Sequence, residues 1–299
     1  MKCEKRIRIA IQKKGRLNTE SMSLLEACGI KIRLSKSTLY CHAQNFPLDI
    51  LFVRDDDIPT LVNSGVCDLG IVGENVLHEF ELGLINKKIE NKTQVAKSLG
   101  FGRCRLSIAI QNHEEYRGIR SLSGIKIATS YPKLLAKFFK KHDLQSESLE
   151  ISGSVEIAPG LGMAEAICDL VSTGRTLEEN NLKEVVEVMR SEAVMIRSIS
   201  AFESDQQQVF ELLLRRIKGV QQAGESKYVM FHAPKSALDK INSLLPSNEG
   251  QTIVPLCGNE DKVAVHIVTL EAVFWDTLEK LRLAGASSIL VLPIEKMLN

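Results

Sequence analysis

The sequence predicts an α/β fold: two related strand–helix lobes around a cleft, then a small domain ordered βαββαβ. Three observations carry this expectation. Cys67-Asp68-Leu69-Gly70-Ile71-Val72-Gly73-Glu74 recurs as Cys168-Asp169-Leu170-Val171-Ser172-Thr173-Gly174-Arg175, both reading Cys-Asp-Leu-x-x-x-Gly after an amphipathic stretch. Upstream, Ile7-Arg8-Ile9-Ala10 is echoed by Ile125-Lys126-Ile127-Ala128, each followed by a polar turn and a helical pattern. Two markers in the same order indicate two related lobes. Ligands of open parallel sheets bind beyond the carboxyl ends of the strands, so facing lobes enclose a cleft. Finally, residues 225–299 alternate in strand and helix patterns that give the third, separate domain.

The first lobe opens with a strand at 7–11 and the turn Gln12-Lys13-Lys14-Gly15-Arg16. A helix follows, capped by Asn18 or Thr19, with Met22, Leu24 and Leu25 on its buried face and Gly29 as its stop. Residues 50–53 read as a short apolar strand. Asp55, Asp56 and Asp57 open a helix to Ser64, where acids suit the positive end of the dipole. Gly65 ends that helix before a strand at 67–72, and the polar stretch 86–97 marks the crossing. The second lobe reads as strands at 106–110 and 126–129, helices at 132–141 and 163–167, and a strand at 169–171. Pro132 suits a first helical turn. A strand at 185–196 is expected to return to the first lobe, because a two-lobed cleft needs crossing strands as its hinge.

Ser204 or Asp205 caps a long helix carrying Val209, Leu212, Leu213, Ile217 and Val220, closed by Gly224. Strands at 228–232, 252–256, 263–269 and 287–292, with helices at 235–245 and 271–284, complete a ferredoxin-like arrangement. Gly285 suits the position just past the second helix. The expected division is lobe one at 1–98 with 184–202, lobe two at 99–183, a linking helix at 203–224 and the ferredoxin-like domain at 225–299.

Composition bounds the function. The chain has 299 residues, 44% hydrophobic and 25% charged, as an ordinary globular protein with ample core does. A net charge of +1 gives no electrostatic case for nucleic acid. Seven scattered cysteines indicate reduced thiols, and six histidines without paired spacing argue against structural zinc. With no apolar leader and no apolar run long enough for a bilayer, the expectation is a soluble, cytoplasmic protein.

Residues 169–180 carry the first chemical signal. Ser172, Thr173 and Thr176 supply hydroxyls, Gly174 lets the backbone wrap an anion, and a helix beginning near Leu177 aims free N–H groups at the same point. Arg175 adds charge, and Asp169 is placed to reach ribose hydroxyls or a metal. The set suits a sugar 5′-phosphate better than a triphosphate, because no Gly-Lys-Ser/Thr ending follows. A plain turn with Thr176 as helix cap accounts for the same residues; the duplicated context favours binding. In the first lobe Lys13, Lys14 and Arg16 around Gly15 offer a grip for polyphosphate, against the plain reading of a solvated turn. Asp68 and Glu74 border the first copy of the repeat and are expected to line the cleft. The thiols read as packing residues.

These segments, taken in order, resemble the long, self-regulated form of the ATP phosphoribosyltransferase family. The resemblance rests on 12–17, Val53-Arg54-Asp55-Asp56-Asp57-Ile58-Pro59, Asp68-Leu69-Gly70-Ile71-Val72-Gly73-Glu74-Asn75, Ala128-Thr129-Ser130-Tyr131-Pro132, Gly153-Ser154-Val155-Glu156, 169–177, Glu225-Ser226-Lys227-Tyr228 and 285–296. It implies lobes like those of periplasmic binding proteins, Mg²⁺ dependence, a dimer–hexamer equilibrium, and a C-terminal domain that binds histidine as inhibitor. The implied reaction joins N1 of ATP to C1′ of phosphoribosyl pyrophosphate, as the first step of histidine biosynthesis. Asp169 and Ser172, Thr173, Gly174, Arg175 and Thr176 would hold the ribose phosphate. Gly15, Arg16 and Leu17, with Asp68 and Glu74, would face the nucleotide or pyrophosphate. Two departures stand out: Arg175 replaces a small residue, either crowding or strengthening the phosphate turn, and Asn181 replaces glycine.

On this reading Arg16, Lys13 and the metal take the pyrophosphate, Asp169 steadies the ribose, and Mg²⁺ is held mainly through the substrate diphosphate. Tyr228, His232, Thr252, Ser287 and Ser288, near strand ends or sheet edges, are the candidates for the histidine site. The rival readings are a small-molecule receptor on the same fold and a subunit that has lost activity; turnover separates them.

Overall fold

The computed structural model describes residues 5–33, 39–200, 202–244, 250–270 and 275–297. The first lobe is built from β1 (Ile7–Gln12), α1 (Arg16–Ala27), β2 (Tyr40–His42), β3 (Leu48–Val53), α2 (Ile58–Asn63), β4 (Leu69–Gly73), α3 (Glu74–Lys87) and β5 (Thr93–Ser98). The second contains β6 (Cys104–Gln111), β7 (Lys126–Thr129), α4 (Pro132–Lys141), β8 (Glu147–Glu150), β9 (Ala166–Val171), α5 (Arg175–Glu179) and β10 (Leu182–Ser191). The chain then returns to the first sheet through β11 (Ala193–Ser198). Ile7, Ile9, Ile11, Leu69 and Ile71 are fully buried, as the near-continuous apolar runs of covered parallel strands require.

The two sheets are ordered β2-β3-β1-β4-β11-β5 and β10-β6-β9-β7-β8. Reading the second backwards gives β8-β7-β9-β6-β10, which matches β3-β1-β4-β11-β5 strand for strand. The first two neighbouring pairs are parallel and the last two antiparallel in both sheets. The duplication is therefore real, but the Cys-Asp-Leu motif is not its register. Ile9 pairs with Leu69, and its counterpart Ile127 pairs with Ala166. The equivalent of Asp68 is thus Glu165, not Asp169. Arg8 N donates to Asp68 Oδ2 at 2.7 Å, and Lys126 N donates to Glu165 Oε2 at 2.8 Å. Four residues separate the motif copies from structural equivalence, which moves Asp169 to the carboxyl end of its strand while Asp68 stays at the amino end.

Other expectations shift for local reasons. The first helix starts at Arg16 rather than at an Asn18 or Thr19 cap, because Gly15 (φ +98°) turns the chain one residue earlier. Asn18 instead donates Nδ2 to Gln12 O at 2.6 Å. Residues 163–167 are not helical: their apolar part extends β9, hydrogen-bonded on both edges. The strand expected to run through 185–196 is two strands in different sheets, divided at Glu192. Residues 184–191 accordingly pair within the second lobe, not the first. Gly70 on β4 lies under α2, where an added Cβ would meet Ile58 Cγ2 at 2.5 Å and Val62 Cγ2 at 3.1 Å. Gly70→Ala should cost about 1–3 kcal/mol, read as a lower urea midpoint at unchanged slope.

The chain divides into two compact units inside α6 (Ser204–Gly224), between Phe210 and Glu211. The second holds β12 (Ser226–Pro234), α7 (Leu238–Leu244), β13 (Thr252–Leu256), β14 (Asn259–Leu270), α8 (Trp275–Leu283) and β15 (Ser287–Pro293), in sheet order β13-β14-β12-β15. This is the expected βαββαβ order; residues 245 and 271–274 of its expected helices lie outside the described residues. Its core gathers Val229, Phe231, Ile241, Val265, Ile267 and Leu281. Among the described residues no helix is long and apolar enough to cross a membrane.

Candidate active site

At the carboxyl ends of β3, β7, β8 and β9 the lobes enclose a cavity of about 620 Å³ whose lining includes Asp55, Asp56, Glu79, Ser130, Tyr131, Lys133, Glu150 and Asp169. This is the edge where an open parallel sheet presents its ligand. Burial pushes the Asp169 carboxyl up to about 6, against the Leu170 N–H that donates to it at 2.8 Å; Glu156 adds to the rise. Burial raises the Asp56 carboxyl as well, helped by Asp55 and Asp57. A wall of partly desolvated carboxylates is costly unless something positive or hydroxyl-rich meets it.

Two turns predicted to bind anions meet beside this wall. Arg16 Nη1 donates to Ser172 Oγ at 2.8 Å, and Nη2 donates to Arg103 O at 3.3 Å. Arg105 Nη1 donates to Ser172 O at 3.4 Å, while its Nε donates to Glu184 Oε1 at 2.6 Å, so that its charge is already paired with a carboxylate on β10. Gly174 (φ +86°) makes the turn and leaves the Ser172, Thr173 and Thr176 hydroxyls exposed. Lys13 is exposed beside β3, its N donating to Val53 O at 2.8 Å, and Leu17 is half-buried. The helix after the phosphate turn begins at Arg175, not near Leu177, and has only five residues. So short a helix offers a weak dipole, so an anion at this turn would be met by the hydroxyls, the turn amides and Arg16. Arg175 neither crowds nor charges the turn: its Nε donates to Glu179 Oε1 at 2.7 Å along the helix surface. Asn181 adopts φ +54°, a left-handed conformation that asparagine tolerates where glycine was expected.

Two predicted residues do other work. Asp68, at the amino end of β4, caps β1 on the far edge from the cavity. Glu74 accepts from Glu192 N at 3.2 Å, while its own N donates to Glu192 O at 3.0 Å, tying down the peptide where the chain crosses between sheets. Asn75, Ser130 and Tyr131 lie in segments that carry the family resemblance but received no role there, and Glu79 lies in none of them. Their partners are distant in the chain, so no local spacing announces them. Burial raises the Tyr131 hydroxyl above its ordinary range, keeping it protonated. Cys67 is likewise raised by burial, to about 11, in keeping with a packing thiol.

In the second unit Tyr228 and Thr252 line a cavity of about 370 Å³ together with His266, whose Nδ1 lies 2.5 Å from Tyr228 Oη. His232 lies four residues along β12, roughly 13 Å away at ~3.3 Å per residue, paired with Ser287; Ser288 follows it. The five expected residues therefore divide between two places on the sheet. His266 is the one omitted, although its alternation with Val265 and Ile267 already turned it from the core.

Among the described residues no three His, Cys, Asp or Glu groups converge on a metal position. Mg²⁺ commonly takes one or two carboxylates and completes its shell with water and phosphate oxygens. Asp55, Asp56 and Asp169, hard oxygen donors on one cavity, fit that requirement.

Residues 54–219 match the HisG family of ATP phosphoribosyltransferases, and residues 223–296 match the HisG C-terminal domain. A solved ATP phosphoribosyl transferase (HisG:HisZ) complex from Thermotoga maritima has a chain that superposes with a TM-score of 0.59 at 24% identity. That match covers 71% of this chain and 96% of the other. The alkanesulfonate-binding protein SsuA from Xanthomonas axonopodis pv. citri, bound to MOPS, superposes at 0.47 with 17% identity, covering 71% of this chain and 73% of that one. With both family segments in order along a duplicated α/β cleft, the chain belongs to the ATP phosphoribosyltransferase family.

Proposed function

We propose that the cleft joins N1 of ATP to C1′ of phosphoribosyl pyrophosphate with inversion. The C1′–O bond breaks, its electron pair leaves with pyrophosphate, and the C1′–N1 bond forms. The observation that carries the reading is the meeting of the Arg16 turn and the Ser172 turn beside the Asp169 cavity. Ser172, Thr173, Gly174, the Arg175 amide and Thr176 take the 5′-phosphate. Lys13 and Arg16 face the departing pyrophosphate, with Gly15 and Leu17 against the same ligand. Asp169, ionised, binds ribose hydroxyls and favours positive charge developing at C1′. No residue need accept a proton, since N1 of adenine attacks through its lone pair. Mg²⁺ held by Asp55, Asp56 or Asp169 together with the diphosphate would neutralise charge on the leaving group. The protein's own share is positioning and fixed electrostatics, which suffice for large accelerations of displacement reactions.

The second unit is read as the histidine sensor, at the Tyr228–His266 cavity, within a cytoplasmic enzyme that interchanges between dimer and hexamer. An ultraviolet assay with ATP, phosphoribosyl pyrophosphate and Mg²⁺ tests both parts. Turnover that histidine suppresses is expected, and Tyr228→Phe should raise the inhibitory histidine concentration about tenfold while leaving uninhibited turnover intact. Turnover indifferent to histidine would remove the sensor reading and keep the cleft. A folded protein that binds one substrate without turnover would return the receptor reading.

A further inference from the structure

The α3 helix touches both the second lobe and the crossing chain through side chains with no role in the chemistry above. Asn75 and Glu79 are four residues apart and so share one helix face. Asn75 is buried; its Nδ2 donates to Tyr131 Oη at 3.0 Å, its N donates to Ser191 Oγ at 3.1 Å, and Ser191 Oγ donates to Asn75 Oδ1 at 2.8 Å. One turn later the Glu79 carboxylate accepts from Lys133 N at 2.9 Å and Leu134 N at 2.8 Å, with Lys133 Nζ at 3.1 Å. Glu79 thus supplies, from the first lobe, the cap that the first turn of α4 lacks in its own sequence: Tyr131, at the cap position, makes no side-chain cap bond. Unpaired first-turn amides are satisfied best by a carboxylate, and burial strengthens the bond. The gripped segment, 131–134, follows directly on Ser130, and Ser130, Tyr131 and Lys133 line the same cavity as Asp169.

We propose that Glu79 is a positioning residue for phosphoribosyl transfer. With Asn75 it latches the second lobe to α3, so that the cleft is held at working width before substrates arrive. A two-lobed receptor whose lobes met only at crossing strands would close by bending there. Here one helix face holds both the crossing, at Ser191, and the opposite lobe, at 131–134. The lobes are preorganised, and substrates need not supply the cost of bringing them together. The inference rests on the cleft being the active site.

The test uses the full-length protein with Glu79→Ala, Glu79→Gln, Tyr131→Phe and the Glu79→Ala/Tyr131→Phe double variant, beside Asp169→Asn as reference. In Glu79→Ala, amide exchange at Lys133 and Leu134 should quicken at least tenfold. KM for both substrates should rise about tenfold, with kcat changed far less. Glu79→Gln, which keeps one acceptor, should recover part of both effects. The Asn75–Tyr131 bond and the Glu79 cap serve one latch, so losses in the double variant should fall short of the sum of the single losses. Quickened exchange with unchanged KM would overturn the proposal, as would unchanged exchange or fully additive losses. If Glu79→Ala fails to fold, Glu79→Gln carries the same readouts. Wild-type turnover that survives Asp169→Asn would instead refute the placement of chemistry in the cleft, separating that failure from a failure of the latch.

Discussion

Asp169→Asn is expected to lower kcat/KM by about 10²–10³-fold while making the protein more stable at neutral pH. Both effects follow from one carboxyl proposed to face the ribose and partly removed from water. Its folded pKa of about 6 stands above the unfolded value of 3.8, so the fold binds this proton more tightly than the unfolded chain does. Below pH 3.8 there is no penalty; it grows between 3.8 and 6 and is fully present above 6. At ~1.4 kcal/mol per unit the penalty reaches up to about 3 kcal/mol, and asparagine removes it. Urea titrations at pH 8 and pH 4 should therefore show a stability gain that is largest at the higher pH and nearly gone at the lower. Activity moves the opposite way. kcat/KM of the wild type should fall as pH drops through about 6, because the protonated carboxyl no longer offers charge to the ribose. A flat profile between pH 5 and 7, or an Asn variant with near-normal turnover, would take Asp169 out of the mechanism.

Arg16→Met is expected to cost about 10²-fold in kcat/KM, carried mainly by phosphoribosyl pyrophosphate, with stability within about 0.5 kcal/mol of wild type. The guanidinium is half exposed, so little packing is lost with it. What disappears is the two-ended grip on Ser172 Oγ and Arg103 O that joins the turns of the two lobes. Arg16→Lys should restore only part of the loss, since an ammonium cannot reproduce the planar fork. A KM for phosphoribosyl pyrophosphate unaltered in Arg16→Met would mean that the contact with Ser172 holds the turns together without serving the substrate.

Much of the candidate site was legible because its carriers are local. The glycine, cations and hydroxyls of 12–17 and 172–176 lie within a few residues of one another in each turn, a composition that suits an anion as well as it suits a plain solvated turn. Asp169 was found for an incomplete reason. The motif that pointed to it is offset by four residues from the true lobe symmetry, and the same offset sent Asp68 to the cleft when it belongs at the opposite edge. A period-two strand keeps its identity under such a shift only in composition, whereas hydrogen-bond register decides which end of the sheet a side chain reaches. The break at Glu192 was hidden for a related reason: 185–196 is uniformly strand-forming, and nothing in its pattern marks where pairing passes from one sheet to the other.

By itself the sequence determined the class of fold, the duplication, the C-terminal βαββαβ domain and the two turns proposed to bind anions. Each is written in short-range periodicity or in residues adjacent along the chain. Only the tertiary structure decided that Arg175 turns away to Glu179, that Tyr228 meets His266 rather than His232, and that Asn75 and Glu79 grip the opposite lobe. These depend on groups brought together from distant parts of the chain or on the rotamer a side chain takes. Such choices are settled by strand register, helix packing and the need to pair buried polar groups, none of which has a local signature.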